Sequence, residues 1–260
     1  MSRLQNSIVM VTGASSGIGS SCARAFAEEG AQLILAARSM PQLQALASQL
    51  KAAWDCETRL LQLDVRDRPA VETSLAALPD EWKAIDVLVN NAGLSRGLDK
   101  LQEAEFRDWE EMIDTNIKGL LYVTRVLLPG MVERDKGHVI NIGSTAGHEA
   151  YAGGSVYCAT KFAVKALTQA LKKDLHGTAI RVSSVDPGLV ETNFSNVRFR
   201  GDLDRASNVY AGMTPLTPDD VAEIVLFCAS RPAHVNISDV IVMPTDQSAA
   251  TMVHRRKGSE

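Results

Sequence analysis

Short apolar runs alternate along this chain with longer stretches in which apolar residues recur every three to four positions. The short runs are Ile8 to Val11, Gln32 to Ala37, Thr58 to Leu63, Ile85 to Val89, Val139 to Ile142, Ile180 to Val185 and Val240 to Met243. Their length and β-branched content predict strands. The periodic stretches, near residues 17–29, 40–53, 67–78, 104–133, 155–176 and 218–230, predict helices. Strand and helix alternating at this length predict an α/β fold, a parallel sheet with right-handed crossovers and helices on both faces. No repeat, low-complexity segment or linker divides the sequence, so one domain is expected over 1–260. The rhythm breaks between Pro187 and Pro218, where Gly188, Gly201, Gly212 and Pro215 lie among polar and aromatic residues. That connection exceeds the usual two to six residues of an α/β loop and predicts a binding loop at about 188–217.

Composition narrows the function classes. Hydrophobic residues make up 45% and charged residues 22% of 260 residues, a balance that supports a large core. A net charge of −4 argues against nucleic acid as an obligatory partner, and the basic cluster His254 to Lys257 reads as a solvated tail. Cys22, Cys56, Cys158 and Cys228 show no metal-ligand spacing, so inert thiols in a reducing compartment and no metal are expected. No leader pattern and no bilayer-length apolar run is read from the sequence, which predicts a cytoplasmic protein without a membrane partner.

Distinctive residues fall just past the predicted strands: Gly13, Arg38, Asp64, Asn90 to Gly93, Ser144 and Pro187-Gly188. In open parallel sheets this edge is where ligands bind. The stretch Thr12 to Gly19, containing Gly13, Ser15, Ser16, Gly17, Ile18 and Gly19, follows a strand and opens a helix. Glycines there let backbone approach a diphosphate, which the unpaired amides of the helix start attract. No Lys-Ser/Thr pair follows, so a dinucleotide fits better than ATP. Strand two ends in Arg38-Ser39, with no Asp or Glu for ribose hydroxyls, which predicts NADP(H) over NAD(H). Asp64, with Val65 beside it, suits the adenine, and Asn91, Ala92 and Gly93 let backbone approach the ribose.

Tyr157 and Lys161 are one helical turn apart, and Ser144 sits at a strand end where its hydroxyl can approach both. A phenol beside an ammonium, with a neighbouring hydroxyl, suits moving a proton on or off an alcohol oxygen. A tyrosine with an ordinary pKa near 10 is rarely ionised at neutral pH, so the cation is expected to assist it. Asn116 lies in the middle of the apolar stripe Trp109, Met112, Ile113, Ile117, Leu120 and Leu121. It reads equally as a satisfied core amide and as a polar group held beneath the site.

Together, the glycine loop, Asn90 to Gly93, Asn116, Ser144, Tyr157-Cys158-Ala159-Thr160-Lys161 and Pro187-Gly188 resemble the short-chain dehydrogenases/reductases over essentially the whole chain. The resemblance implies a seven-stranded Rossmann sheet and an Asn-Ser-Tyr-Lys tetrad at Asn116, Ser144, Tyr157 and Lys161. It further implies that Tyr157 and Lys161 also bind the nicotinamide ribose, that Pro187, Gly188, Val190 and Thr192 lie near the carboxamide, and that Asn116 holds a relay water. Many such proteins are tetramers, so a homotetramer is expected.

A narrower likeness rests on Tyr151 to Gly154, Gly188 to Thr192, Phe194 to Asp202 and Arg231 to Ile237, which are similar to the NADP-dependent 3-hydroxy acid dehydrogenases. It implies hydride exchange at the 3-position of small acids such as L-serine, L-allo-threonine or 3-hydroxyisobutyrate. Ser39 departs from that pattern, where a second basic residue often sits. A carboxylate substrate needs an anchor, and Arg198 and Arg200 are the candidates because a guanidinium fork grips carboxylate at two points. Two alternatives stay open at this point: a ketoreductase for bulkier carbonyls, and a non-catalytic NADP-binding regulator.

Overall fold

The computed structural model describes residues 3–256. Seven strands, β1 (Ile8–Thr12), β2 (Gln32–Ala37), β3 (Thr58–Gln62), β4 (Val87–Asn90), β5 (His138–Ile142), β6 (Arg181–Pro187) and β7 (Asp239–Val242), form one parallel sheet in the order β3-β2-β1-β4-β5-β6-β7. Each overlies an expected strand. Nine α-helices among the described residues connect or follow them: α1 (Gly17–Glu28), α2 (Met40–Trp54), α3 (Arg68–Ala76), α4 (Phe106–Ile113), α5 (Leu120–Glu133), α6 (Ser155–Asp174), α7 (Phe194–Arg198), α8 (Leu203–Asn208) and α9 (Pro218–Ala229).

Successive strand residues point to opposite faces, and the core divides accordingly. Val9, Val11, Leu33 and Leu35 pack with Phe26 of α1, Leu43 and Leu50 of α2 and Val225 of α9. Met10, Ile34 and Leu88 pack on the other face with Val71 and Leu75 of α3, Trp82, and Val123 and Met131 of α5. Burying one such side chain is worth about 1.5–3 kcal/mol, which explains why strands buried on both faces carry few polar residues. The chain order reverses between β1 and β4, and the crevice at that switch point opens over the carboxyl ends of the strands.

Two expectations need correction, the first and third below, and one gains detail. The stretch 104–133 is not one helix: a π-helical turn, Asp114–Gly119, separates α4 from α5. Wide turns of this kind cluster at functional sites. Apolar spacing of four residues continues through the turn, so periodicity could not reveal it. Second, the loop at 188–217 holds α7 and α8, and its mouth is closed by the Val190–Leu216 bridge and by Leu216 N–H donating to Leu189 O at 3.0 Å. Third, the basic tail is not simply solvated. Arg256 N–H donates to Gly212 O at 2.7 Å, Arg255 Nη2 donates to Val209 O at 3.0 Å, and Arg256 pairs with Asp246 at 3.0 Å. Lys257 lies outside the described residues.

Helix α9 starts sharply after the loop because Thr217 and Asp220 cap each other reciprocally and Pro218 takes the first helical position. No helix among the described residues is long and apolar enough to cross a membrane.

Candidate active site

The loop after β1 is locked to the end of β4. Thr12 Oγ1 accepts the backbone N–H groups of Asn91 and Ala92, each at 3.0 Å, while Asn91 Nδ2 donates to Thr12 O at 2.9 Å. Gly13 turns with φ +65°, a conformation that favours glycine. A Cβ on Gly19 would lie 2.3 Å from Gly13 O, so only glycine lets α1 seat this closely. Ser16 precedes α1 in extended conformation with no side-chain cap, which leaves the first amides of the helix for an anionic ligand.

That loop forms one wall of an open cleft of about 1010 Å³. Gly13, Ser15, Ser16, Gly17, Ile18, Arg38, Ser39, Asp64, Val65, Asn91, Ala92, Gly93 and Thr192 all line it. These residues fit an NADP-type dinucleotide: a glycine cradle with uncapped amides for the diphosphate, and a guanidinium with no acid at the end of β2 for a 2′-phosphate. Arg66, unmarked by any motif, lines the cleft as well. Its guanidinium grips Asp64 through Nε at 3.0 Å and Nη2 at 2.6 Å. Burial pushes the Asp64 carboxyl up, but the Arg66 bonds and the charges of Arg66 and Arg38 win and hold it below its ordinary value.

Ser144, Tyr157 and Lys161 meet at the same edge of the sheet without lining the cleft. Ser144 Oγ accepts from Ala146 N–H at 3.1 Å, capping the short 3-10 turn Thr145–Gly147. That leaves its own proton free to act on the Tyr157 phenol, whose pKa it lowers. Lys161 Nζ donates to Ile142 O at 2.9 Å and stands 6.0 Å from the centre of the Tyr157 ring. Burial pushes the Lys161 ammonium down to about 8, opposed by the charge of Asp186. Burial also pushes the Tyr157 phenol up, against the opposing charge of Arg198 and the Ser144 bond. The cation that acts first on the phenol here is therefore Arg198 rather than Lys161, whose bond goes to the Ile142 carbonyl.

Asn116 combines both of its expected readings. It is 2% exposed, and Oδ1 accepts from Leu94 N–H at 2.9 Å while Nδ2 donates to Leu94 O at 2.8 Å and to Thr160 Oγ1 at 3.0 Å. The satisfied amide thus fastens the segment after β4 to α6, within the π turn. Pro187, Gly188 and Val190 stand off the cleft: Gly188 N–H donates to Val242 O at 2.8 Å, and Val190 O accepts from Tyr210 at 2.8 Å.

Helix α7 covers Tyr157. Phe194 tilts against its ring at 5.9 Å between centroids, and the Arg198 guanidinium lies 5.3 Å from both rings. Arg198 Nε is buried without a hydrogen-bond partner, and Nη2 reaches Tyr151 Oη at 3.5 Å. Arg200, two residues on, points elsewhere and pairs with Asp108. Asp186 and His148, which the sequence reading passed over, are joined behind the tetrad at 2.5 Å. The available signal was an acid at a strand end, directly before Pro187-Gly188.

Comparison with known proteins gives a consistent result. The family model described as short chain dehydrogenase matches residues 7–202. The NADP-dependent 3-hydroxy acid dehydrogenase YdfG of Salmonella typhi is 53% identical over 250 residues, covering 95% of this chain and 99% of that protein. The serine 3-dehydrogenase of Agrobacterium fabrum is 42% identical over 242 residues, covering 93% and 95%. The closed form of a serine dehydrogenase complexed with NADP+ superposes with a TM-score of 0.89 at 50% identity, covering 96% of this chain and all of that one. With its glycine loop, its seven-stranded parallel sheet and these relatives, the chain belongs to the short-chain dehydrogenase family.

Proposed function

We propose that the chain is an NADP-dependent oxidoreductase exchanging hydride with the carbon that bears the 3-hydroxyl of small 3-hydroxy acids, L-serine, L-allo-threonine and 3-hydroxyisobutyrate among them. The observation that carries this reading is Arg198: a guanidinium with a buried, unpartnered Nε, held over the phenol that handles the proton. Buried donors are almost always paired, and a carboxylate is the partner a guanidinium pairs with most strongly. The likeness to hydroxy acid and serine dehydrogenases supports the same substrate class.

When bound, the nicotinamide supplies the hydride acceptor or donor. The chain's own residues do the rest. Gly13 to Gly19 cradle the diphosphate, Arg38 and Ser39 face the 2′-phosphate, and Asp64, Val65, Asn91, Ala92 and Gly93 receive the adenine and ribose. Tyr157 takes the proton from the substrate hydroxyl, or returns it to a carbonyl in the reverse direction. Ser144 holds the substrate oxygen against Tyr157, and Lys161 and Arg198 stabilise the phenolate. Burial opposes ionisation of Tyr157, and the Arg198 charge is the first influence acting against it. Asn116 holds the floor on which these groups are aligned.

A ketoreductase for bulky carbonyls is less well supported, because Phe194, Arg198 and Tyr151 close over the phenol. The reading extends to a homotetramer in a reducing, cytoplasmic setting. Exposed Phe106, Leu121 and Phe162 on α4, α5 and α6, and four buried unpaired cysteines, support these two points. Light scattering tests the first directly. The function is tested by NADPH absorbance during incubation with hydroxy acids, neutral alcohols and bulky ketones. Turnover confined to bulky ketones would sink the hydroxy acid reading, and no turnover at all would favour a nucleotide-binding regulator.

A further inference from the structure

A buried charge network lies beside the tetrad, outside the cofactor cleft. Asp186 is 2% exposed at the end of β6. Its Oδ1 accepts from Ser184 Oγ at 2.5 Å, and its Oδ2 is 2.5 Å from His148 Nε2. The other imidazole nitrogen, Nδ1, is 2.8 Å from Lys165 Nζ. An ammonium only donates, so Nδ1 accepts and the ring is the neutral tautomer with its proton on Nε2. Donation therefore runs in one direction, from Lys165 through His148 to Asp186.

The three residues come from the three segments that build the site. His148 closes the 3-10 turn that Ser144 caps, Lys165 is one turn beyond Lys161 on α6, and Asp186 immediately precedes Pro187-Gly188. Gly143 shows how tightly the carboxylate is seated, because a Cβ there would fall 1.8 Å from Asp186 Oδ1. Gly143 lies between Ile142, whose carbonyl anchors Lys161, and Ser144. Asp239 on β7 faces Asp186 as a second carboxylate. Burial and Asp239 push the Asp186 carboxyl up, while Ser184 and His148 pull it down. The ligand atoms of His148, Asp186 and Asp239 lie within 4.8 Å of one another, but Lys165 already holds the imidazole, so the arrangement is a hydrogen-bond network.

We propose that Asp186, oriented by His148 and Lys165, is a positioning residue whose carboxylate is the counter-charge that keeps Lys161 cationic and fixes its place relative to Ser144. The line then runs from Lys165 through His148 to Asp186, with the Lys161 ammonium beyond the carboxylate. The proposal rests on the oxidoreductase reading above. Without the carboxylate, burial acts on Lys161 unopposed and its proton leaves at lower pH. The Tyr157 phenolate then loses that support, and alcohol oxidation needs a higher pH.

The test is NADP+ reduction by a 3-hydroxy acid measured across pH for the full-length enzyme. Asp186→Asn keeps the shape and removes the charge. The rising limb of kcat/KM is expected to move up by about one pH unit, with about a tenfold loss below it. Lys165→Met and His148→Ala are expected to move it in the same direction by less, and His148→Gln, which keeps a donor toward Asp186, to restore it. A rate reduced equally at all pH values, with the limb unmoved, would make the network merely structural and overturn the proposal. Where Asp186→Asn does not fold, an unmoved limb in Lys165→Met overturns it equally. A wild-type enzyme inactive on hydroxy acids but active on a neutral alcohol fails the function reading alone, and the same pH series is then run on that alcohol.

Discussion

The two walls of the cleft are built from different materials. On the side of β1 and β4, the ligand surface is backbone, fixed by Thr12 and Asn91 through bonds of 2.9–3.0 Å. On the opposite side, the cap formed by α7 and α8 is held by side chains. Arg96 reaches Val197 O, Tyr210 Oη donates to Val190 O at 2.8 Å, and Arg198 stacks on Tyr157 and Phe194. A backbone wall recognises what every dinucleotide shares and tolerates little change. A side-chain wall sets which substrate is admitted, and single substitutions can redraw it.

Between the walls stands Tyr157, and its replacement gives the largest effect expected. Tyr157→Phe removes the proposed proton carrier while keeping the ring that α7 packs against. General acid–base catalysis contributes about 10²–10⁴-fold, so kcat should fall by that amount. NADPH binding, read by fluorescence titration, should persist. Retention of most of the activity would mean that the reacting proton is carried elsewhere.

On the cofactor wall, Arg38→Asp replaces the cation proposed to face a 2′-phosphate with an anion. Loss of a charge-assisted bond, about 1.5–3 kcal/mol, plus the new repulsion should lower the NADP-to-NAD ratio of kcat/KM by about 100-fold. Ser39 supplies no second cation, but Arg66 lines the cleft nearby, engaged with Asp64. A ratio that does not change would show that Arg38 takes no part in cofactor choice.

On the cap, Arg198→Met should raise KM for hydroxy acids by about 10-fold or more, the equivalent of one charged hydrogen bond, while KM for neutral alcohols stays level. Arg198 also acts on the phenol, so a smaller fall in kcat for both substrate types is expected. Equal changes in KM for acids and neutral alcohols would remove the carboxylate anchor and leave only the electrostatic role.

The backbone wall was legible in the sequence because its signals are local. Thr12 to Gly19, and the four-residue interval from Tyr157 to Lys161, each lie within one element and its turn, and all seven strands announce themselves by apolar content. The cap was not legible in the same way. Helices α7 and α8 have five and six residues, too few for a periodic pattern to emerge. The π turn at Asn116 keeps the apolar spacing of a regular helix. The pairing of His148 with Asp186 joins residues 38 positions apart, and no motif encodes it. Asn90, the last residue of β4, donates its amide to Thr124 Oγ1 at 2.8 Å and to Asn141 Oδ1 at 2.9 Å under the sheet edge, contacts that no local motif announces.

The smallest expected effect comes from the arginine next but one along the same loop. Sequence reasoning gave Arg198 and Arg200 equal standing, and a regular helix would still have swung them some 200° apart. Helix α7 ends at Arg198, and Arg200 follows in the left-handed region at φ +52°, where the chain turns toward Gly201. Its guanidinium therefore lands on Asp108 of α4, on the exposed side of the cap. Exposed pairs of this kind contribute about 0.2–1 kcal/mol. Arg200→Met should leave KM and kcat for hydroxy acids unchanged and lower the melting temperature by a few degrees at most. A rise in KM confined to acids would bring Arg200 back to the substrate and show that the cap rearranges when it closes on a ligand.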